Sequence, residues 1–521
     1  MWGLVLMAAM AAGDAGPPPP AAADYVVIGS GPGGGAVAHF LTKGLPATAS
    51  VVVLEAGTAD AHAIEDNRHP FACIKAISNA SNLFHAAPEQ PWQGVPQAAL
   101  SNRTLALYSP RILGGASAMN AGMWVRPTRG DIELWNVPGW TPAVVHSTLN
   151  DIEATLGGFY SCETASPMRD FMDQARGVPP RNCNADWLTA DQVNQYCGSQ
   201  LGLTATKEFG LLRYTAYHNL LKPLLHSHNH LQVFPGCTVT KLIVDPDTKR
   251  ATHVQYLKDG NLFTITVNKE VVLAAGPFQN PKILKLSGVG PAAELERLGI
   301  HVVVDSPNVG EHLQDHPLVP LFFNRTGDLA FNLSPKTSYL VPRWDFSGSP
   351  GAILPEFQLF FLEALPDGLP PVPGVDMAHG AAIFAVVLNP KSTGSVRLAA
   401  ADYATPPLVD HGFLTAPEDA DALVRVIDVA RKHFKTDSNE NLVEVLPGSA
   451  FGDNLEPYVR LLVSHGWHPT SSVRMGTDPA TSAVDPELRL RGLANVRVAD
   501  SSAFPDVPRF FFFFFFFFLG G

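Results

Sequence analysis

Six residues, Gly29 to Gly34 (GSGPGG), stand between an apolar run and an alanine-rich stretch, and their spacing suits the holding of a pyrophosphate. Gly29 permits a tight turn, and Gly31 lets backbone N–H groups approach phosphate oxygens at a helix N-terminus. Gly34 allows a helix to pack close on a strand. Glu55, 21 residues beyond Gly34 at the end of a second apolar run, stands where a carboxylate accepts hydrogen bonds from an adenosine ribose. The pattern marks a dinucleotide site but leaves FAD and NAD undivided, because both present the same ADP half. In RILGGASAMN, Gly114 and Gly115 free the backbone to run against a planar ring, while Ser117 and Asn120 offer short polar groups for its heteroatoms. A surface turn would use the same residues. His465 and His468, in HGWH, invite a metal reading, but no carboxylate or cysteine cluster completes it, so no metal is expected. By residue type alone His468 is one of 18 histidines and reads as an ordinary one.

These groups need elements to position them. Tyr25 to Ile28, the glycine loop, the alanine-rich stretch and the run SVVVLEAG read in order as strand, loop, helix and strand. The alternation in GCTVTKLIVD predicts a further strand, and PEFQLFFLEAL and AAIFAVVLNP predict two more. Between those two, LPDGLPPVPG reads as a loop. Apolar residues recur at three and four from Asp419 to Phe434, which predicts a helix.

At 521 residues the chain is long enough for two or three domains, and 46% hydrophobic with 16% charged residues describes a loop-rich globular protein. A formal charge of −12, with no basic stripe, disfavours a nucleic-acid partner. Met1 to Ala12 is apolar and precedes a proline-rich linker. It reads as a secretory signal with an uncharged start or as an unstructured start, so a secretory location stays open. It is too short to cross a bilayer, and no other transmembrane segment is expected. Asn79, Asn102, Asn324 and Asn332 begin N-x-S/T sequons, but roughly three would arise by chance, so they decide nothing. The cysteines Cys73, Cys162, Cys183, Cys197 and Cys237 show no C-x-x-C spacing; a Cys183–Cys197 bridge would require secretion. Nine phenylalanines, Phe510 to Phe518, have no structural period and form an aggregation hazard if translated. A homopolymeric codon run read as coding sequence would also produce them.

Seven ordered segments together resemble the glucose-methanol-choline (GMC) oxidoreductases. They are the glycine loop, Ser109–Trp135, Gly276–Gly290, Asn308–Pro317, Leu388–Leu414, Gly466–Gly476 and Val484–Pro505, and they cover nearly the whole chain. The resemblance implies FAD as cofactor and a small-molecule alcohol as substrate, as in choline dehydrogenase, with oxygen or another acceptor regenerating the flavin. It implies an α/β chain, α+β overall: a Rossmann-like FAD-binding domain interleaved with a substrate domain built on an antiparallel sheet. The FAD domain would comprise 24–150, 205–316 and 461–509, and the substrate domain 151–204 and 317–460. Residues 1–23 would be the signal segment and linker, and 510–521 the anomalous tail. His468 would be the catalytic base, with Trp467 beside the flavin, Val239 backbone against the adenine, and Asp500 in the cofactor site. Two departures stand out. Asn280 replaces a usual small hydroxyl residue, and Phe511 falls where the family carries a second catalytic histidine or asparagine. The phenylalanine run thus stands in place of that side chain and of a helix facing the flavin, and the chain as written is expected to bind FAD weakly or not at all. A catalytically impaired relative with a binding role or none is the alternative. Lyase or light-driven decarboxylase chemistry also occurs on this fold; for decarboxylation the absence of any cysteine after Cys237 counts against it.

Overall fold

The fold is that of a computed structural model, which describes residues 18–60, 92–107, 109–120, 129–156, 215–325, 371–434 and 442–509, with parts of 123–127, 196–213 and 343–365. The N-terminal apolar run, the phenylalanine run and Cys183 lie outside the described residues.

Among the described residues the mixed α/β architecture rests on two seven-stranded sheets. Strand β1 (Ala22–Ile28) enters the glycine loop, helix α1 (Pro32–Gly44) leaves it, and β2 (Val51–Leu54) returns parallel to β1. Helix α1 is buried on nearly every side, including His39, whose Nδ1 donates to the Leu220 carbonyl at 2.7 Å. Small residues make that possible: a Cβ on Gly35 would come within 2.9 Å of the Ala216 methyl. Helices α2 (Arg129–Trp135) and α3 (Pro142–Leu156) add Trp135, Val145, Leu149 and Ile152 to the same core. Strands β3 (Leu231–Phe234), β4 (Thr238–Asp245), β5 (Arg250–Lys258) and β6 (Asn261–Leu273) complete the sheet in the order β3-β2-β1-β6-β5-β4. Strand β6 has two roles. Its first half pairs antiparallel with β5, and its second half lies parallel to β1 and to the short strand Val496–Val498.

Helix α4 (Gln279–Leu286) follows β6. The second sheet is antiparallel and is built on β7 (Pro317–Arg325), β8 (Arg343–Phe346), β9 (Phe357–Leu362) and β10 (Gly380–Val387). Helix α5 (Pro417–Phe434) covers it, turning Leu423, Val426, Ile427 and Ala430 inward at helical spacing. Burying each large member of that set stabilises the fold by roughly 1.5–3 kcal/mol. Its first turn is pinned by Asp419, whose carboxylate accepts the Lys391 and Ser392 amides, both at 2.8 Å. Ser464–His465 pairs with the start of β7, so the chain leading to His468 is attached to this second sheet.

Candidate active site

The carboxyl ends of the parallel strands converge on the glycine loop, where open α/β sheets bind their ligands. The Gly29 amide bonds Leu54 O, the Ala274 amide bonds Ile28 O and the Ala499 amide bonds Leu273 O, each at 2.8 Å. Two glycines are there because backbone fills the side-chain space: a Cβ on Gly33 would meet Ala499 O at 2.1 Å, and one on Gly34 would meet Gly29 O at 2.0 Å. Gly31 differs. A Cβ there meets nothing nearer than Gly115 Cα at 3.8 Å, which leaves a cleft between two backbones. Helix α1 opens onto that cleft with no capping side chain and no acidic residue in its first turn. An uncapped 13-residue helix at an open glycine cleft fits the phosphates of FAD.

Glu55 is buried, and its carboxylate accepts from the Ser30 amide at 2.9 Å, the Ser30 hydroxyl at 2.7 Å and the Gly57 amide at 2.8 Å. Burial raises its pKa against these donors. Glu55 therefore already braces the glycine loop, and a ribose would share its oxygens. Ser30 also receives the Gly114 amide at 3.1 Å, which ties the second loop to the first. Gly114 and Gly115 have left-handed backbones at φ 89° and 53°, and Ser117 accepts the Ala216 amide at 2.9 Å while donating to Gly114 O. Ser117 thus anchors its own loop. Asn120 is partly buried, with its amide on Ala116 O. Val239 pairs with Tyr256 in β4, beside a bulge, one residue from Thr238, whose hydroxyl receives Arg111 Nη2 at 3.3 Å.

Asp500 and Asn280 form a clamp. Asp500 Oδ2 accepts the Gly276 amide and Asn280 Nδ2, both at 2.7 Å, and Oδ1 accepts the Ser502 amide and hydroxyl. Asn280 Oδ1 accepts the Ala275 amide at 2.9 Å. The residue that departs from the family pattern is fully buried and joins three segments.

The loop that carries His468, Gly466–Gly476, is stitched to this clamp: the Ser471, Val473 and Met475 amides bond the carbonyls of Ser501, Ser502 and Ala503. On its other side it runs antiparallel to the DHP segment, with Gly466 N on His316 O at 2.8 Å and Thr470 N on Gln314 O at 2.9 Å. Trp467, 53% exposed, takes a left-handed backbone at φ 57° and turns the chain into His468. There His468 Nδ1 lies 2.9 Å from His316 Nδ1, with the rings at 87°. One nitrogen donates and the other accepts. Loss of hydration, then His465, lowers the His468 pKa to about 3, and burial holds His316 well below the ordinary value, so both rings are neutral at neutral pH. His468 N also donates to Asp315 Oδ1 at 2.9 Å. Sequence reasoning gave Asp315, His316 and His411 no role, although NVGEHLQDHP was among the resembling segments. His465 stacks on His411 and donates Nε2 to Ala106 O at 2.8 Å. Among the described residues no cluster of His, Cys, Asp or Glu suits a metal ion, and no helix is long and apolar enough to cross a membrane.

Residues 24–318 and 390–511 match the family description GMC oxidoreductase, in its N- and C-terminal parts. An uncharacterized GMC-type oxidoreductase of Mycobacterium tuberculosis is 30% identical over 523 residues, covering 93% of this chain and 95% of the relative. An oxygen-dependent choline dehydrogenase of Sinorhizobium fredii is 28% identical over 532 residues, covering 93% and 91%. Among solved structures, pyridoxine 4-oxidase from Mesorbium loti matches with a TM-score of 0.79 at 20% identity, over 94% of this chain and 96% of that one. A formate oxidase matches with a TM-score of 0.80 at 20% identity, over 95% and 96%. At such identities these two show a shared fold.

Proposed function

The chain belongs to the GMC oxidoreductases, FAD-dependent enzymes acting on CH–OH donors, and we propose that it oxidises a small-molecule alcohol with His468 as the base. The observation that carries this reading is the His316–His468 pair: a neutral imidazole held by a second neutral imidazole at 2.9 Å. Carbonyls of Leu388 and Pro508 favour hydrogen on His316, although no bond of normal geometry reaches its Nε2. With that hydrogen in place, His316 Nδ1 accepts, His468 Nδ1–H donates, and His468 Nε2 keeps the lone pair that takes the hydroxyl proton. FAD, when bound, supplies the acceptor for the hydride that leaves the carbinol carbon. The residues that would hold it are the backbones of Gly29, Gly31, Gly114 and Gly115, with Glu55 at the ribose. Oxygen or another electron acceptor then completes turnover.

The test is anaerobic mixing of the flavin-loaded protein with a panel of primary alcohols, following loss of oxidised-flavin absorbance. His468→Ala should keep its flavin and bleach about 10²–10⁴-fold more slowly. Bleaching at the wild-type rate would move the base elsewhere. A second reading, a catalytically impaired relative, rests on Phe511 at the place of the family's second catalytic residue. Flavin retention with no bleaching by any alcohol would favour it.

A further inference from the structure

Behind the base lies a second pair of titratable groups that the alcohol chemistry leaves unused. Asp315 and His411 each have side chains 1% exposed, and His411 Nε2 faces Asp315 Oδ2 at 3.8 Å. Among the described residues neither atom has a hydrogen-bond partner, nor does His411 Nδ1. His411 sits in an aromatic slot, stacked on Phe413 at 5.0 Å and on His465 at 5.3 Å, with Phe278 edge-on at 6.3 Å. Phenylalanine would fill that slot without burying two bare nitrogens. The polar group that accounts for an imidazole there is the carboxyl it faces. On its other side Asp315 receives the His468 amide, with the His316 and Gly466 amides close by. One carboxyl therefore touches the backbone of both imidazoles of the proposed base pair.

We propose that Asp315 is a neutral carboxyl that shares its proton with His411 Nε2, and that the pair positions the base loop without placing a negative charge behind His468. The gap closes to hydrogen-bond length by a shift of about 1 Å. The surroundings agree. Burial raises Asp315 to about 8 despite the three backbone donors, while burial and His465 keep His411 well below its ordinary value. The groups facing the pair are His465 on the base loop, committed to Ala106 O, and His316, which Arg509 further disfavours as a cation. None offers a buried carboxylate a counter-charge as close as the proton itself. His411 and Asp315 are thus positioning residues, and their role in turnover rests on the reading of His468 as base.

The test uses the full-length flavin-loaded protein labelled with ¹³C-aspartate, whose neutral carboxyl absorbs in the infrared apart from ionised ones. At neutral pH the wild type should show a neutral-carboxyl band that Asp315→Asn removes. His411→Phe, which keeps the aromatic packing, should lower the pH at which that band disappears by at least one unit, a tenfold loss of proton affinity; His411→Gln, which keeps an acceptor, should lower it less. An ionised Asp315 at neutral pH, or identical titration in wild type and His411→Phe, would overturn the pair. In flavin bleaching, Asp315→Asn should lose the rate change that the wild type is expected to show as pH rises past 8. An unaltered profile removes the link to the base. A protein that bleaches with no alcohol defeats the catalytic reading, while the infrared band still decides the pair.

Discussion

A methyl group added at Gly115 would meet the Cα of Gly31 at 2.7 Å, on a backbone already at φ 53°. Both objections fall on backbone, so no side chain can move aside. Gly115→Ala should cost about 1–3 kcal/mol through the left-handed backbone alone. Since relief comes from parting the two loops, flavin affinity should fall at least tenfold; flavin content after gel filtration, with the thermal midpoint, measures both. Wild-type flavin content would show that the cleft between Gly31 and Gly115 is not where the cofactor lies. This cradle was legible in the sequence because its physics is local: glycines at fixed offsets, a helix start and an acid at the end of the next strand. His316 and His468 are 152 residues apart, and Asp315 and His411 meet only when Leu408–Asp410 pairs with Gly394–Arg397 and that strand in turn with Glu311–Leu313. No spacing rule reaches that far. Bottom-up reading therefore left His468 an ordinary histidine, and the family resemblance alone singled it out.

Among the elements, strands and helices with a clean period were readable, and the loops that lock them together were not. The helix expected from Asp419 runs from Pro417 to Phe434, and the strands expected in PEFQLFFLEAL and AAIFAVVLNP run Phe357–Leu362 and Gly380–Val387. Alternation could not reveal that the 13-residue β6 serves an antiparallel meander and a parallel sheet in turn. Nor could it reveal the Asn280 clamp, where the residue standing in for the family's small hydroxyl joins the start of α4 to the Asp500 turn. Removing that side chain strands the Ala275 amide and takes one donor each from Asp500 and the Ser502 hydroxyl. Leaving a buried polar group unsatisfied costs about 1–3 kcal/mol. Asn280→Ala should therefore lower unfolding stability by roughly that amount in urea titrations, with Asn280→Ser, the family's small hydroxyl, falling between. Equal stability of all three proteins would mean that the clamp is incidental to the fold.

Across the whole molecule, burial has pushed two sets of groups in opposite directions, which fixes how stability should depend on pH. Glu55, Asp315 and Asp500 are raised by burial, so the folded chain holds protons that the unfolded chain releases from about pH 4 upward. Their contribution is complete below that point and is lost as pH rises through their folded values. His39, His316, His411, His465 and His468 are lowered, so below about pH 6.5 the unfolded chain takes up protons that the folded chain refuses. Their contribution is lost as pH falls. Glu311 and Asp506 join the raised carboxyls and His312 the lowered histidines, so among the described residues six histidines oppose five carboxyls between pH 4 and 6.5, and stability declines gently toward acid. Above pH 6.5 the histidines are silent, while Asp315 keeps its proton to about pH 8. One proton of difference is worth about 1.4 kcal/mol per pH unit, so roughly 2 kcal/mol should disappear between pH 6.5 and 8. Urea unfolding across pH 5 to 9 should therefore show a maximum on the acid side of neutrality, and Asp315→Asn should flatten the alkaline fall. An Asp315→Asn protein with the same alkaline fall as the wild type would mean that the carboxyl behind the proposed base is ionised in the folded protein. The buried Lys282 and Lys285, lowered by burial, act alike in both proteins and cancel in that comparison.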